Sequence, residues 1–266
     1  MKWIKNIEDF KDHIFGNKER VSERKPASEV SEKPKEVYER ACSLIAKKLS
    51  ELGFMYYPSQ HKLKLNNETG NYSLFVKFSS SRYNVADNYV EFRADFYINS
   101  KELKEYSKKN PLINKKSETL IGGDIGHIVN PTKGKLVLNL IDKTDFDSAT
   151  KTIPESIKLN LIPLFEKFQN SKKMIESQFF GFDFSPITAT QYLLAFDRPD
   201  IAENYLSDYL NREPKKILAD YIKATEKFKT ENLPTEFVDG YGYGYNIALL
   251  EKAYGLKITV PNNVYS

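Results

Sequence analysis

The sequence predicts an α+β protein, with a mostly antiparallel four-stranded sheet packed on one face by helices and followed by an all-helical C-terminal extension. Three observations predict it. Apolar residues recur at spacings of three and four between residues 35 and 53, alternate with a period of two from residue 61 to 99, and return to helical spacing behind proline starts beyond residue 173. The 266 residues are 40% hydrophobic, and the 17 Phe and 17 Tyr give the chain the large side chains that disordered compositions lack. A chain of this length can bury a sizeable core.

Residues 1–16 have the spacing of a short amphipathic helix, with Trp3, Ile7, Phe10 and Ile14 on one side and Gly16 at its end. Residues 17–36 mix basic and acidic side chains around Pro26 and Pro34 and read as a charged tether. The expected organisation is therefore a short helix plus tether over 1–35, an α+β domain over 36–175 and a helical extension over 176–266.

From Lys35 to Gly53, Tyr38, Ala41, Cys42, Ile45, Leu49 and Leu52 form one apolar stripe, and charged residues take the other side. Gly53 supplies the left-handed residue that closes such a helix. Cys42 falls on the stripe and reads as a small core hydrophobe; as the chain's single cysteine it can form no disulfide within it. His61 to Leu65 and Tyr72 to Phe78 alternate on either side of Asn66-Asn67-Glu68-Thr69-Gly70-Asn71, which has hairpin-turn chemistry. In the third strand, Tyr89 to Asn99, Val90, Phe92, Ala94, Phe96 and Ile98 point inward and Tyr89, Glu91, Arg93, Asp95 and Tyr97 point outward. Ser100 caps a short polar helix to Lys109. A glycine-rich loop, Gly122-Gly123-Asp124-Ile125-Gly126-His127, precedes a fourth strand carrying Leu136, Leu138 and Leu140. Helical spacing from Asp145 directs Ile153, Ile157, Leu161, Leu164, Phe165 and Phe168 to the core, with Pro154 in the first turn and Pro163 as a kink. In the extension, Pro186, Pro199 and Pro214 each open a helix, and a last short helix runs from Asn246 to Tyr254.

Lys+Arg 40 against Asp+Glu 36 leaves a net charge of only +4, and the lysine pairs at 47–48, 108–109, 115–116, 172–173 and 215–216 are dispersed. Such lysines form solvated surface, not a stripe that tracks phosphates, so nucleic acid is not the expected partner. The start, Met1-Lys2-Trp3-Ile4-Lys5-Asn6, runs straight into charged residues and shows no signal peptide, and no apolar run approaches the roughly 20 residues of a membrane span. A cytoplasmic protein with no membrane partner is expected.

Few residues carry recognisable chemistry. Gly122-Gly123-Asp124 is similar to the phosphate-gripping loop of nucleotide cyclases, but Ile125 and Gly126 stand where an acidic and an aromatic residue would follow. His13, His61 and His127 have no histidine or cysteine at metal-ligand spacing, so neither a metal nor a cofactor is expected. Two stretches could contact a partner. One is the polar strand face with Glu91, Arg93, Asp95 and Tyr97; the other is Asp239-Gly240-Tyr241-Gly242-Tyr243-Gly244-Tyr245, where Tyr241, Tyr243 and Tyr245 offer stacking surfaces between glycines that also suit a hinge.

Ala46-Lys47-Lys48-Leu49-Ser50-Glu51-Leu52-Gly53-Phe54, the alternating strands, Ile125-Gly126-His127-Ile128 with Pro131, and the run Ile153-Pro154-Glu155-Ser156-Ile157 to Leu161-Ile162-Pro163-Leu164-Phe165 follow in an order that resembles a bacterial family catalogued as domain of unknown function 4304. The resemblance covers about residues 36–170. Where that family often carries tryptophans after the proline, this chain has Lys135-Leu136-Val137-Leu138. The resemblance implies no catalytic residues, because none are established for the family.

The expected function is a non-enzymatic protein-binding module with an unidentified protein partner, compatible with a neutralising, immunity-type role. The alternative is a hydrolase or transferase whose site gathers distant residues near the 122–127 loop, with Asp124, His127 and Glu91 as members.

Overall fold

In the computed structural model, which describes residues 32–110, 118–130, 134–168, 186–212, 214–234 and 242–260, Pro34 opens the first helix, α1 (Pro34–Ser50). A proline suits the first turn, where its missing N–H has no helical partner to lose. The Lys33 backbone N–H donates to the Glu36 carboxylate at 3.2 Å, and Lys47 and Lys48 lie in the last turn, the favourable end for cations. Gly53, with φ +86°, turns the chain, so that the Phe54 N–H donates to the Leu49 carbonyl and Phe54 enters the core. The helix expected over 1–16 and nearly all of the tether lie outside the described residues. The described residues from Lys33 onward belong to one compact unit.

Among the described residues the sheet has six strands, not four. β1 (Met55–Tyr57), β2 (Lys62–Asn66), β3 (Tyr72–Ser79), β4 (Glu91–Ser100) and β5 (Thr119–Asp124) lie side by side in chain order, each antiparallel to the next. The two-residue β6 (Leu138–Asn139) pairs with the start of β4. β1 and β5 are additions to the expected set. The Gly122-Gly123-Asp124 stretch is therefore strand, where a glycine-rich loop is expected. Its glycine serves packing: a Cβ on Gly122 would stand 2.8 Å from the Phe96 carbonyl oxygen and 3.0 Å from the Tyr97 Cβ, so only glycine lets β5 close against β4 here. At the β2–β3 turn, the Asn67 N–H donates to the Tyr72 carbonyl and Gly70 takes φ +68°. The Ser100 hydroxyl accepts from the Leu103 N–H at 3.2 Å and caps α2 (Lys101–Lys109), as its position in the sequence predicts.

The inner sheet face, with Leu63, Tyr72, Leu74, Val76, Phe78, Phe92, Ala94, Phe96 and Ile98, is buried together with the stripe of α1. After the single-turn α3 (Gly126–Val129), a continuous helical run, α4 (143–168), completes this core with Ala149, Ile153, Ile157, Leu161, Phe165 and Phe168. Asp142 starts it, its carboxylate accepting from the Thr144 and Asp145 N–H groups at 2.8 and 3.0 Å. Two π segments interrupt α4, Ser148–Thr152 and Ile157–Leu161, and each ends two residues before a proline. The Ile153 N–H, just before Pro154, donates to the Ser148 carbonyl; the Ile162 N–H, just before Pro163, donates to the Ile157 carbonyl. A proline in an α-helix drives its ring into the carbonyl one turn back, and widening that turn makes room. The wider turns also account for the buried row at 149, 153, 157, 161 and 165, because a strict spacing of four drifts by about 40° per step around an ordinary helix.

Among the described residues, four further helices follow: α5 (Pro186–Ala195), α6 (Pro199–Arg212), α7 (Lys215–Thr230) and α8 (Tyr243–Tyr254). Leu206, Leu210, Leu218, Tyr221, Phe228, Ile247, Leu249 and Leu250 belong to a second buried cluster. Tyr192 of α5 belongs instead to the sheet core; its hydroxyl donates to the Phe168 carbonyl at 2.8 Å and lies 3.4 Å from the Tyr72 hydroxyl. Burial raises the pKa of the Tyr192 hydroxyl and pushes that of Tyr72 up to about 12, so both stay protonated. The protein is thus α+β, with an antiparallel sheet and a helical C-terminal part.

Candidate functional site

Residues opposite one another in an antiparallel ladder project to the same side. On the side away from α1 and α4, one row across the sheet runs Tyr57, Lys62, Lys77, Asp95, Asp124. The next runs Met55, Lys64, Phe75, Tyr97, Gly122. In the second row the rings of Phe75 and Tyr97 stack, with centroids 4.9 Å apart and planes 18° from parallel. The ammonium groups of Lys62 and Lys64 lie 5.1 and 5.6 Å from the Phe75 ring centre, and that of Lys62 lies 5.6 Å from the Tyr57 ring. Gly122, exposed, leaves the β5 side of Tyr97 without a neighbouring side chain on that strand.

Charge is distributed unevenly over this face. Lys62 and Lys77 stand directly opposite each other, an arrangement that like charges disfavour. Asp95 and Asp124 are likewise opposite. Burial, and then the neighbouring Asp124 carboxylate, raise the pKa of Asp95, with Lys77, Arg93 and Lys135 opposing. Lys62, Lys64, Lys77 and Asp95 make no ion pair among the described residues.

Of the residues singled out in the sequence, Glu91, Arg93, Asp95 and Tyr97 share this face on β4, as their alternation predicts. Glu91 and Arg93 engage each other along the strand: Arg93 Nε lies 2.9 Å from Glu91 Oε1, and the Arg93 NH2 group donates to Glu91 Oε2 at 3.0 Å. The Tyr89 hydroxyl donates to the same carboxylate at 3.1 Å. The Arg93 guanidinium is thus largely occupied by Glu91, while Asp95 and Tyr97 remain available.

The tyrosine–glycine tract is a different environment. Tyr241 lies outside the described residues. Tyr243 and Tyr245 belong to α8, which begins three residues before its expected start at Asn246. Tyr243 is exposed and meets Tyr209 edge-on at 6.3 Å; Tyr245 packs against Phe228 at 5.2 Å. Gly244 is buried, and a Cβ there would fall 2.6 Å from the Tyr221 backbone nitrogen and closer still to the Ile217 carbonyl oxygen. This glycine lets α8 approach the α7 backbone and is no hinge.

The residues of the enzymatic alternative are held by other tasks. Asp124 Oδ1 accepts from the Gly126 and Leu136 N–H groups at 2.7 and 2.8 Å, tying two loops together. Glu91 stands four residues along β4 from Asp95, the residue opposite Asp124, a separation of about 13 Å. His127 is exposed beside Gly134. Cys42 is fully buried, and burial pushes its thiol up to about 12, with the neighbouring Tyr38 and Tyr56 hydroxyls acting in the opposite direction. Among the described residues no group of three or more His, Cys, Asp or Glu side chains could hold a metal ion, and no helix is long and apolar enough to cross a membrane.

Sequence reasoning missed Lys62, Lys64, Phe75 and Lys77 as members of the site. Their signal was present, since they are the outward complement of the alternating positions that mark β2 and β3 as strands. Compared with known proteins, the chain matches no family model, no curated protein and no solved structure.

Proposed function

We propose that the protein is a non-enzymatic protein-binding module and that the outward sheet face is its recognition surface. The observation that carries this is the stacked Phe75–Tyr97 pair, central on the outward sheet face and flanked by lysines on one side and carboxylates on the other. Aromatic centres with charged surroundings suit protein recognition. Engagement of Glu91 with Arg93 and of Asp124 with two backbone N–H groups supports a binding role over acid–base chemistry. A neutralising role and kinship with the family resembled over 36–170 belong to this proposal.

The test is site-specific photocrosslinking in the native host. A photoreactive phenylalanine analogue replacing Lys77 is expected to yield a discrete protein adduct, and the same analogue at exposed Lys151 on α4 is expected not to yield that adduct. Absence of any discrete adduct from the Lys77 position, or an identical adduct from both, refutes the proposal.

A further inference from the structure

The outward face carries a charge order that is its own complement. Its first row reads Lys62, Lys77, Asp95, Asp124 across β2, β3, β4 and β5, two cations followed by two carboxylates. The second reads Lys64, Phe75, Tyr97, Gly122, with the aromatic pair at the centre and the bare glycine opposite the lysine end. We infer that the partner seated on this face is a second copy of the same chain, related by a two-fold axis that runs along the strands between β3 and β4. This deepens the protein-binding proposal and rests on it.

Such an axis turns one outward face over onto another and exchanges the two sides of the sheet. Lys77 of each copy then meets Asp95 of the second, and Lys62 meets Asp124. Phe75 meets Tyr97 across the axis, and the long side chain of Lys64 extends over Gly122, where β5 supplies no side chain. Every contact occurs twice, as an isologous interface requires. Strands of the two sheets stay aligned, the arrangement of sandwiches whose strand directions agree within about 30°. Aromatic contact lies at the centre and charged contact at the margins, as protein interfaces are built.

The isolated chain sets like charges opposite each other twice on this face, Lys62 against Lys77 and Asp95 against Asp124, and the Lys77–Asp95 pairing between them offsets only part of each. A second copy relieves both at once. A polyanion would relieve only the lysines and would bring its charge beside Asp95 and Asp124, at the one side of Tyr97 that is open. The face therefore fits a copy of itself better than a nucleic acid or a uniformly acidic protein.

The experiment is sedimentation velocity of the full chain, from micromolar to near-millimolar concentration, at low and high salt. The wild type is expected to dimerise, more weakly as salt screens the paired charges. Lys77→Glu and Asp95→Lys, each alone, are expected to weaken the dimer by at least about tenfold, because each places like charges opposite one another twice. An equimolar mixture of the two variants is expected to dimerise again, since Glu at 77 of one meets Lys at 95 of the other. That rescue reads contacts between copies, because neither chain's internal charge repulsion is relieved by mixing. A wild type that stays monomeric throughout, a dimer indifferent to Lys77→Glu, or a mixture that stays monomeric overturns the inference. So does a fluorescent oligouridylate that binds the wild type and not Lys77→Glu. If the chain is monomeric while the photoreactive group at 77 captures one discrete different protein, the inference fails and the protein-binding proposal stands; if no adduct forms, both fail.

Discussion

Gly244→Ala separates two physical meanings of the tyrosine–glycine tract. If its glycines are there for flexibility, alanine at 244 should stabilise the protein, since replacing helical glycine gains about 1 kcal/mol. The α7–α8 contact predicts the opposite. The added Cβ would lie 2.6 Å from the Tyr221 nitrogen, and both of its nearest obstacles are backbone atoms that cannot rotate away. Restoring ordinary contact requires the helices to part by about 1 Å along a seam that also holds Ile247 and Leu250. Overpacking of this kind costs about 3 kcal/mol, and the helix-propensity gain offsets about one third of it. The net loss is about 2 kcal/mol, a fall of about 4–8 °C in the thermal midpoint for a domain of this size. Gly242→Ala, two residues earlier, is the control. Its Cβ would meet only the Asp220 carboxylate, at an ordinary 3.7 Å, so a change of a few tenths to about 1 kcal/mol is expected. Thermal and urea unfolding of the full chain by circular dichroism measures both. A Gly244→Ala protein as stable as the wild type, or more so, would refute the close-packing argument.

Leu49→Asp places a carboxylate where the wild-type side chain is 1% exposed between α1 and the sheet, and the chain is expected to lose its cooperative unfolding transition altogether. Tyr192→Phe removes the hydroxyl that donates to the Phe168 carbonyl, an expected loss of about 1 kcal/mol in urea titrations. Glu251 supplies a pH dependence. Burial holds its carboxyl above the ordinary range, against the hydrogen bond that the Tyr221 hydroxyl donates to it at 2.8 Å. Because the folded pKa exceeds the unfolded one, the contribution of Glu251 to stability is fully present below the unfolded pKa and is lost as pH rises through the folded value. Glu251→Gln keeps an acceptor for Tyr221 and abolishes the charge. Its stability relative to wild type is expected to be greater at neutral pH than at acid pH, and urea midpoints that differ equally at both would contradict the assignment.

Local patterns in the sequence carry much of this fold. The stripe of α1, the Ser100 cap of α2, the proline-led starts of α5 and α6 and the alternation of β4 depend on neighbours within one turn or one strand, and each is legible from spacing. β5 is not, because its Gly-Gly pair lowers strand propensity and the reason for Gly122 is Tyr97 on another strand. The candidate site divides in the same way. Outward Glu91, Arg93, Asp95 and Tyr97 follow from alternation, whereas the row Lys62, Lys77, Asp95, Asp124 depends on the register of four strands. Gly244 misleads for a related cause, since a glycine set against a neighbouring backbone and a glycine in a hinge look identical along the chain. The π segments of α4 were partly announced, by two prolines beside a four-residue spacing of Ile153, Ile157, Leu161 and Phe165.

The position of Cys42 turns the chain's only thiol into a clock. Its side chain is wholly enclosed between α1 and the sheet core, and burial holds the thiol up to about 12, so at neutral pH neither reagent access nor thiolate is provided by the native state. Alkylation must wait for the core to open. The rate of covalent labelling in water therefore counts openings of the α1–sheet contact without denaturant, and a cysteine introduced at any exposed position can be labelled selectively against that silent background.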